Sequence, residues 1–242
     1  LVSTSVFAGE LAVSGSAGIT WENYSYDQAS GSKAFSMGNQ ITFSGSGELD
    51  NGMNISLSFV IDEFDNGHTS SVDNGGSIFD AHSVTVSSDA MGTLVFSGEG
   101  GASAQSGINT TAAGDIWDLW DGRNGASSKM KESSASNNMF HYTLPSMVDG
   151  LKVAASYVPA AGNDESDTSY ALTYTGVEGL TASYGVGSND DASGSASNAD
   201  ATTISLAYAY GPVTLAYSDH EYDSNTATDD LDVKSFKVSY TV

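Results

Sequence analysis

No cysteine occurs among the 242 residues, which removes disulfides and thiolate metal ligands from consideration. Positive charge is nearly as scarce. Seven Lys and Arg stand against 30 Asp and Glu, for a formal charge of −23. A sheath of that sign repels nucleic acid, and with no basic patch to overcome it nucleic-acid binding is excluded. No apolar run approaches the roughly 20 residues of a membrane helix; this excludes helical spans and leaves barrel strands open, since they carry no such signal. Catalytic signatures are missing as well. The four histidines (His68, His82, His141, His220) show no HExxH or other metal-ligand spacing, no G-x-S-x-G sits on a strand-to-helix turn, and no glycine-rich loop links a strand to a helix. The chain is not read as an enzyme.

Glycine is abundant at 27, proline is limited to three, and hydrophobic residues make up 39%. Ser, Thr, Ala, Asn and Asp fill much of the remainder. Either part of the chain is disordered or its interior is polar by design. Twelve Tyr and nine Phe argue against disorder, which is poor in aromatics.

Alternation with a period of two recurs almost everywhere, and helical periodicity almost nowhere. Leu11, Val13, Ala17, Ile19 and Trp21 share one face of the first segment, opposite Glu10, Ser14, Ser16, Thr20 and Glu22. Ile55, Leu57, Phe59 and Ile61 repeat the pattern, as do Tyr170, Leu172 and Tyr174; Leu180, Ala182, Tyr184 and Val186; Ile204, Leu206, Tyr208 and Tyr210; Val213, Leu215 and Tyr217; and Phe236, Val238, Tyr240 and Val242. The links between segments are of two kinds. Asp50–Gly52, Val148–Gly150, Gly176–Gly179 and Tyr210–Pro212 are tight; Asp27–Lys33, Asp65–Ser77, Gly162–Asp167, Gly187–Asp200 and Asp219–Asp232 are long and polar. About twelve strands, with short turns at one end and long loops at the other, match the pattern of outer-membrane barrels. A soluble β-sandwich also alternates, but its exposed face would carry Lys and Glu where this chain has Ser, Thr, Gly, Ala and Asn. The apolar face moreover ends repeatedly in Tyr, as a girdle at a lipid–water boundary does. The fold class expected is therefore all-β, a transmembrane antiparallel up-and-down barrel. Residues 1–8 read as the remnant of a signal peptide, since apolar and small residues lead into Val6-Phe7-Ala8, and residues 9–242 as one barrel domain.

The segments Gly38–Glu63 and Met91–Ser103, together with the strand–turn–strand of Asn138–Pro159, resemble the general diffusion porins of Gram-negative bacteria, and the resemblance runs over nearly all of Gly9–Val242. It implies a homotrimer of barrels in the outer membrane, each with a water-filled lumen for small hydrophilic solutes and ions, and a third loop folded inward. Such barrels have about 16 strands and end in an aromatic residue, whereas this sequence ends in Val242. That departure points to missing C-terminal strands.

By position the inward loop is residues 100–137, the longest stretch without alternation. Within it Gly114–Gly122 reads "GDIWDLWDG". Asp115 near the start of a short helix suits the helix dipole. Ile116, Leu119 and Trp120 form an apolar stripe, so Trp117 and Trp120 are expected to anchor the loop while Asp118 and Asp121 face water. Glu99 shares parity with Ser97 and Thr93, which sets it toward the lumen. Glu99, Asp115, Asp118 and Asp121 are thus the expected acidic lining. The bases are Lys33, Arg123, Lys129, Lys131, Lys152, Lys234 and Lys237. Arg123, with Lys152 and Lys237 by parity, is expected to line the pore, and Lys234 to sit on the outer face near a rim. Rings of carboxylates favour cations, so a cation-preferring pore is expected. Calcium, which takes oxygen ligands, is a candidate at Asp115, Asp118 and Asp121; otherwise no cofactor is expected. The alternatives are a non-conducting outer-membrane barrel with a structural or adhesive role, and a secreted acidic β-sandwich. Bilayer conductance separates the first of these, and the need for detergent the second.

Overall fold

The computed structural model describes residues 11–23, 33–62, 79–108, 112, 132–134, 137–160, 165–190, 198–225 and 230–241. Among these residues all regular structure is extended. The strands are β1 (Ala12–Asn23), β2 (Lys33–Glu48), β3 (Asn54–Asp62), β4 (Ala81–Ser88), β5 (Gly92–Glu99), β6 (Met139–Thr143), β7 (Leu151–Val158), β8 (Asp167–Tyr174), β9 (Leu180–Asn189), β10 (Ala199–Tyr210), β11 (Val213–Ser224) and β12 (Leu231–Tyr240). They follow one another in sequence order as a twelve-stranded sheet, antiparallel at each described pairing. The up-and-down architecture expected from alternation and turn spacing is the one observed. Residues 1–8, assigned above to a signal remnant, lie outside the described residues.

The chain divides into two compact units, residues 1–86 and 87–242. In the first, β1 runs against β2 from Ala12↔Ser44 to Asn23↔Lys33, and β2 against β3 from Gln40↔Asp62 to Glu48↔Asn54. This register gathers the alternate apolar residues on one face, with Val13 beside Phe43, Phe43 beside Phe59, and Ile41 beside Ile61. Large apolar side chains on that face are exposed, among them Val13, Ile19, Trp21, Phe35 and Ile41.

In the second unit β5 to β12 pair in succession. One face carries Phe140, Tyr157, Tyr170, Leu172, Tyr184, Ile204, Leu206, Tyr208, Tyr217, Phe236 and Tyr240, all exposed. The other carries Ser97, Ala154, Ser156, Ser169, Ala201, Thr203, Ser218, His220 and Ser235, all buried. Large apolar side chains outside and small hydroxylated ones inside invert the order of a water-soluble protein. Such an inversion is stable where the outer face meets hydrocarbon. The tight ends need glycine. Gly150 (φ +73) and Gly179 (φ +76) adopt the left-handed conformation, and a Cβ at Gly179 would collide with the Ala209 carbonyl oxygen.

Two links differ from expectation. The long links expected at Gly187–Asp200 and Asp219–Asp232 are shorter, because β9 continues to Asn189, β10 begins at Ala199, β11 continues to Ser224 and β12 begins at Leu231. Beyond the aromatic level the period of two persists with its polarity reversed. Ser218, His220 and Tyr222 point to the buried face, and Asp219, Glu221 and Asp223 to the other. A pattern search for apolar residues on the outer face stops at Tyr217, although the ladder of backbone hydrogen bonds does not.

Candidate functional site

After β5 the chain leaves the sheet through Gly100 (φ +72) and turns onto the small, hydroxylated face of the second unit. Successive contacts trace its course. The Ala102 carbonyl oxygen meets His141 Nδ1 on β6 at 3.1 Å. The Ala104 amide donates to Ser156 Oγ on β7 at 3.0 Å, and the Gln105 amide to Ser169 Oγ on β8 at 3.2 Å. Ile108 lies against Gly185 on β9, where an added Cβ would stand 2.6 Å from its Cδ1. Gln105 Nε2 donates to Thr203 Oγ1 on β10 at 2.7 Å, and the Ala112 amide to Ser218 Oγ on β11 at 2.7 Å. A segment of about ten residues therefore touches every strand from β6 to β11, lying across them. At roughly 4.8 Å between strands, those five steps span about 24 Å.

A second limb returns over the first. The Ser133 amide donates to Gln105 Oε1 at 2.9 Å, Ser133 Oγ and Ser103 Oγ are 2.7 Å apart, and the Ser134 amide donates to the Ser188 carbonyl oxygen at 2.9 Å. Thr203 Oγ1 is in turn 2.8 Å from His220 Nδ1. Gln105, Thr203 and His220 are each 0% exposed.

The chemistry of the wall explains this docking. A loop laid on a sheet cannot complete a backbone ladder with it, so its buried amides need side-chain acceptors. Serine and threonine hydroxyls supply these at short reach. Close approach also requires that the wall lack bulk. Gly187 illustrates the limit, since a Cβ there would collide with Ser169 Cβ and lie 2.6 Å from Ser133 Cβ.

Of the residues expected to carry function, Glu99 ends β5 on the face of Ser97, where the loop begins. Lys152 lies on the hydroxylated face of β7, in register with Thr173, and Lys237 on that of β12, in register with Ala216; both are exposed. The two lysines are toward the tight-turn ends of their strands and Glu99 is at the long-loop end, so the three are not brought together. Lys234 is on the opposite, outer face, with its Nζ 2.8 Å from Asp232 Oδ1 and 3.5 Å from Asp219 Oδ1. Tyr217 donates to the same Asp219 carboxylate at 2.9 Å. Asp115, Asp118, Asp121, Arg123, Trp117, Trp120, Lys129 and Lys131 lie outside the described residues, and with them the calcium locus. Among the described residues no three His, Asp or Glu side chains converge as a metal site.

Near the long-loop ends, Asp167 Oδ1 accepts hydrogen bonds from the Asp190 amide at 2.7 Å and from Ser188 Oγ at 3.2 Å. Burial, together with the charges of Asp167, Asp200 and Glu165, holds the Asp190 carboxyl above its ordinary range. Burial likewise raises the carboxyl of Glu132, beside the return limb's contact with Gln105. A carboxyl raised in this way contributes most to stability when protonated, below its ordinary value of 4.5, and that contribution is lost as pH rises through the raised value. Glu132→Gln is therefore expected to strengthen the return limb at neutral pH. Its advantage over the parent in urea unfolding midpoint should disappear below pH 4.5; an advantage that does not change with pH would contradict the assignment.

Gln105, Ser156, Ser169, Thr203, Ser218 and His220 are absent from the sequence-based expectations. Their one sequence signal is positional: from β7 to β10 this face carries Ser156, Ser169, Gly187 and Ala201 at one level, small residues where a loop has to lie flush.

A family model described as Gram-negative porin matches residues 1–242. Comparison with curated proteins gives no match. Among solved structures, an anion-selective porin from Comamonas acidovorans is similar at 18% identity and a TM-score of 0.50, over 95% of this chain and 73% of that one. A triple mutant of the Rhodopseudomonas blastica porin is similar at 15% identity and a TM-score of 0.46, over 96% of this chain and 90% of that one.

Proposed function

The chain belongs to the Gram-negative porin family, and from that premise we propose that it forms a passive, water-filled, cation-preferring passage for small hydrophilic solutes and ions. Members of the family are outer-membrane channels rather than enzymes, and the outer membrane is where this chain resides. The finer reading rests on charge. The chain has 30 acids and seven bases, and in sequence Asp115, Asp118 and Asp121 fall between the footholds at Ala112 and Ser133. Glu99 stands at the loop's root. Lys152 and Lys237 are displaced toward the tight-turn ends, away from that root.

Selectivity in such a passage follows the charge nearest the ion's path. Unit charges about 4 Å apart interact by roughly 4 kcal/mol at an effective dielectric near 20, and by less in a wet lumen. The preference is accordingly graded and weakens with salt. The Comamonas protein is an anion-selective porin, and at 18% identity that selectivity does not transfer. A homotrimer, the usual assembly of the family, completes the proposal, and passive passage needs no cofactor.

The test is the reversal potential of single channels in a planar bilayer across a tenfold KCl gradient. A cation-preferring sign is expected, and the triple variant Asp115→Asn, Asp118→Asn, Asp121→Asn should move it toward zero. An anion-preferring sign in the parent would overturn the selectivity, and the lack of any conductance the passage itself.

A further inference from the structure

We infer that Gln105 is the positioning residue of the loop: it ties the outgoing limb to the returning limb and both to the wall, so that the loop's place in the passage depends on this one amide. The inference rests on the proposed passage only for its electrical consequences.

All four polar atoms of Gln105 are engaged, and three of them reach beyond its own limb. Its amide nitrogen donates to Ser169 Oγ on β8, Nε2 donates to Thr203 Oγ1 on β10, and Oε1 accepts from the Ser133 amide of the returning limb. The side chain is fully buried, so water cannot replace a lost partner. The role needs a donor and an acceptor at one end of a side chain that reaches between strands, which an amide offers and a carboxylate or an alkyl group does not. Thr203 carries the chain of contacts on to His220 of β11. The other footholds, Ala102 on His141, Ala104 on Ser156, Ala112 on Ser218 and Ser134 on Ser188, each join a single loop atom to a single strand. Gln105 alone among the described residues joins both limbs to two strands. Each of its bonds is between neutral groups, so salt that screens charges leaves them intact.

The chain offers its own control. Ser103 and Ser133 face each other across the two limbs with their Oγ atoms 2.7 Å apart, so cysteine sulfurs at these positions would be neighbours, and a disulfide draws them to about 2.05 Å. No cysteine competes for pairing. Ser103→Cys with Ser133→Cys thus makes a covalent, reducible substitute for the limb-to-limb tie.

The experiment compares the full chain, Gln105→Leu, and Gln105→Leu carrying the cysteine pair, all folded in detergent. It reads amide hydrogen exchange at Ala104 and Ala112 and open-channel current noise. In Gln105→Leu, exchange at these two amides is expected to accelerate by roughly tenfold to a hundredfold, with strand amides of β7 to β11 unchanged. Noise should rise with it. The oxidised cysteine pair should restore both readings and a reductant abolish the rescue. Unchanged exchange at Ala104 and Ala112 would overturn the inference. So would acceleration spread equally through the strands, or a failure of the oxidised pair to rescue. If the parent does not conduct at all, the proposed passage fails while the exchange measurements still decide the role of Gln105.

Discussion

Replacing Gly187 with valine is expected to drive the returning limb of the loop off the wall. Gly187 lies on β9, in register with Ser169 of β8 and Ala201 of β10. A Cβ built on it would collide with Ser169 Cβ and stand 2.6 Å from Ser133 Cβ and 2.8 Å from Ser133 Oγ. Ser169 is held by the backbone ladder of β8, whereas Ser133 is held by one bond to Gln105 and one to Ser103. The limb is the softer neighbour, so it moves. Overpacking of this kind costs about 1–3 kcal/mol, and the two displaced bonds of Ser133 add to it. The urea unfolding midpoint of the detergent-solubilised protein should fall and the single-channel current should become unsteady. Gly45→Val is the matched control, since a Cβ at Gly45 meets nothing within 4 Å. Equal midpoints for the two variants would mean that the returning limb is not seated where the structure puts it.

Thr203→Val should be nearly as damaging, for a different reason. Valine preserves the shape of threonine and removes one hydroxyl, but that hydroxyl serves two buried partners: Gln105 Nε2 at 2.7 Å and His220 Nδ1 at 2.8 Å. A hydrogen bond contributes little net stability, while a buried polar group stripped of its partner costs about 1–3 kcal/mol. Two groups lose this partner together, so roughly 2–6 kcal/mol is expected. Thr203→Ser keeps the oxygen and loses only a methyl, worth about 1 kcal/mol. Unfolding midpoints for the pair separate the effects: a serine variant close to the parent and a valine variant far below it is the expected result. If valine is tolerated as well as serine, the hydroxyl is not what holds Gln105.

Much of this architecture was legible in the residues. Alternation through Ile204, Leu206, Tyr208 and Tyr210 announced a strand with one apolar face, and the glycines at 150 and 179 announced the tight ends. Parity alone put Lys234 on the outer face, where it is found beside Asp219 and Asp232. The docking of the loop was not legible, for a physical reason. Apolar periodicity reports which face meets lipid, but the hydroxylated face is polar whether it meets water or another part of the chain. Ser156, Ser169 and Ser218 look the same in either role. What tells them apart is a partner far along the chain, and single-sequence patterns do not contain it. The anchors expected at Trp117 and Trp120 lie outside the described residues; within those, the fastening is made by a glutamine and a set of serines. The strand ends past Tyr217 were missed by the same rule, applied where the outer face leaves the lipid and charge replaces leucine at the outward positions.

The footholds of the loop also set an order of events in folding. Ala104 reaches Ser156 across 52 positions, Gln105 reaches Thr203 across 98, and Ala112 reaches Ser218 across 106. Contacts so distant in sequence form late and slowly, because the intervening chain must be ordered before they can close. The loop follows β5, yet its last foothold does not exist until β11 has paired. Each new hairpin adds one more point of attachment, from β6 toward β11, like a strap drawn through successive loops. Docking of the loop on the hydroxylated wall is thus completed only after the strands it crosses are in place.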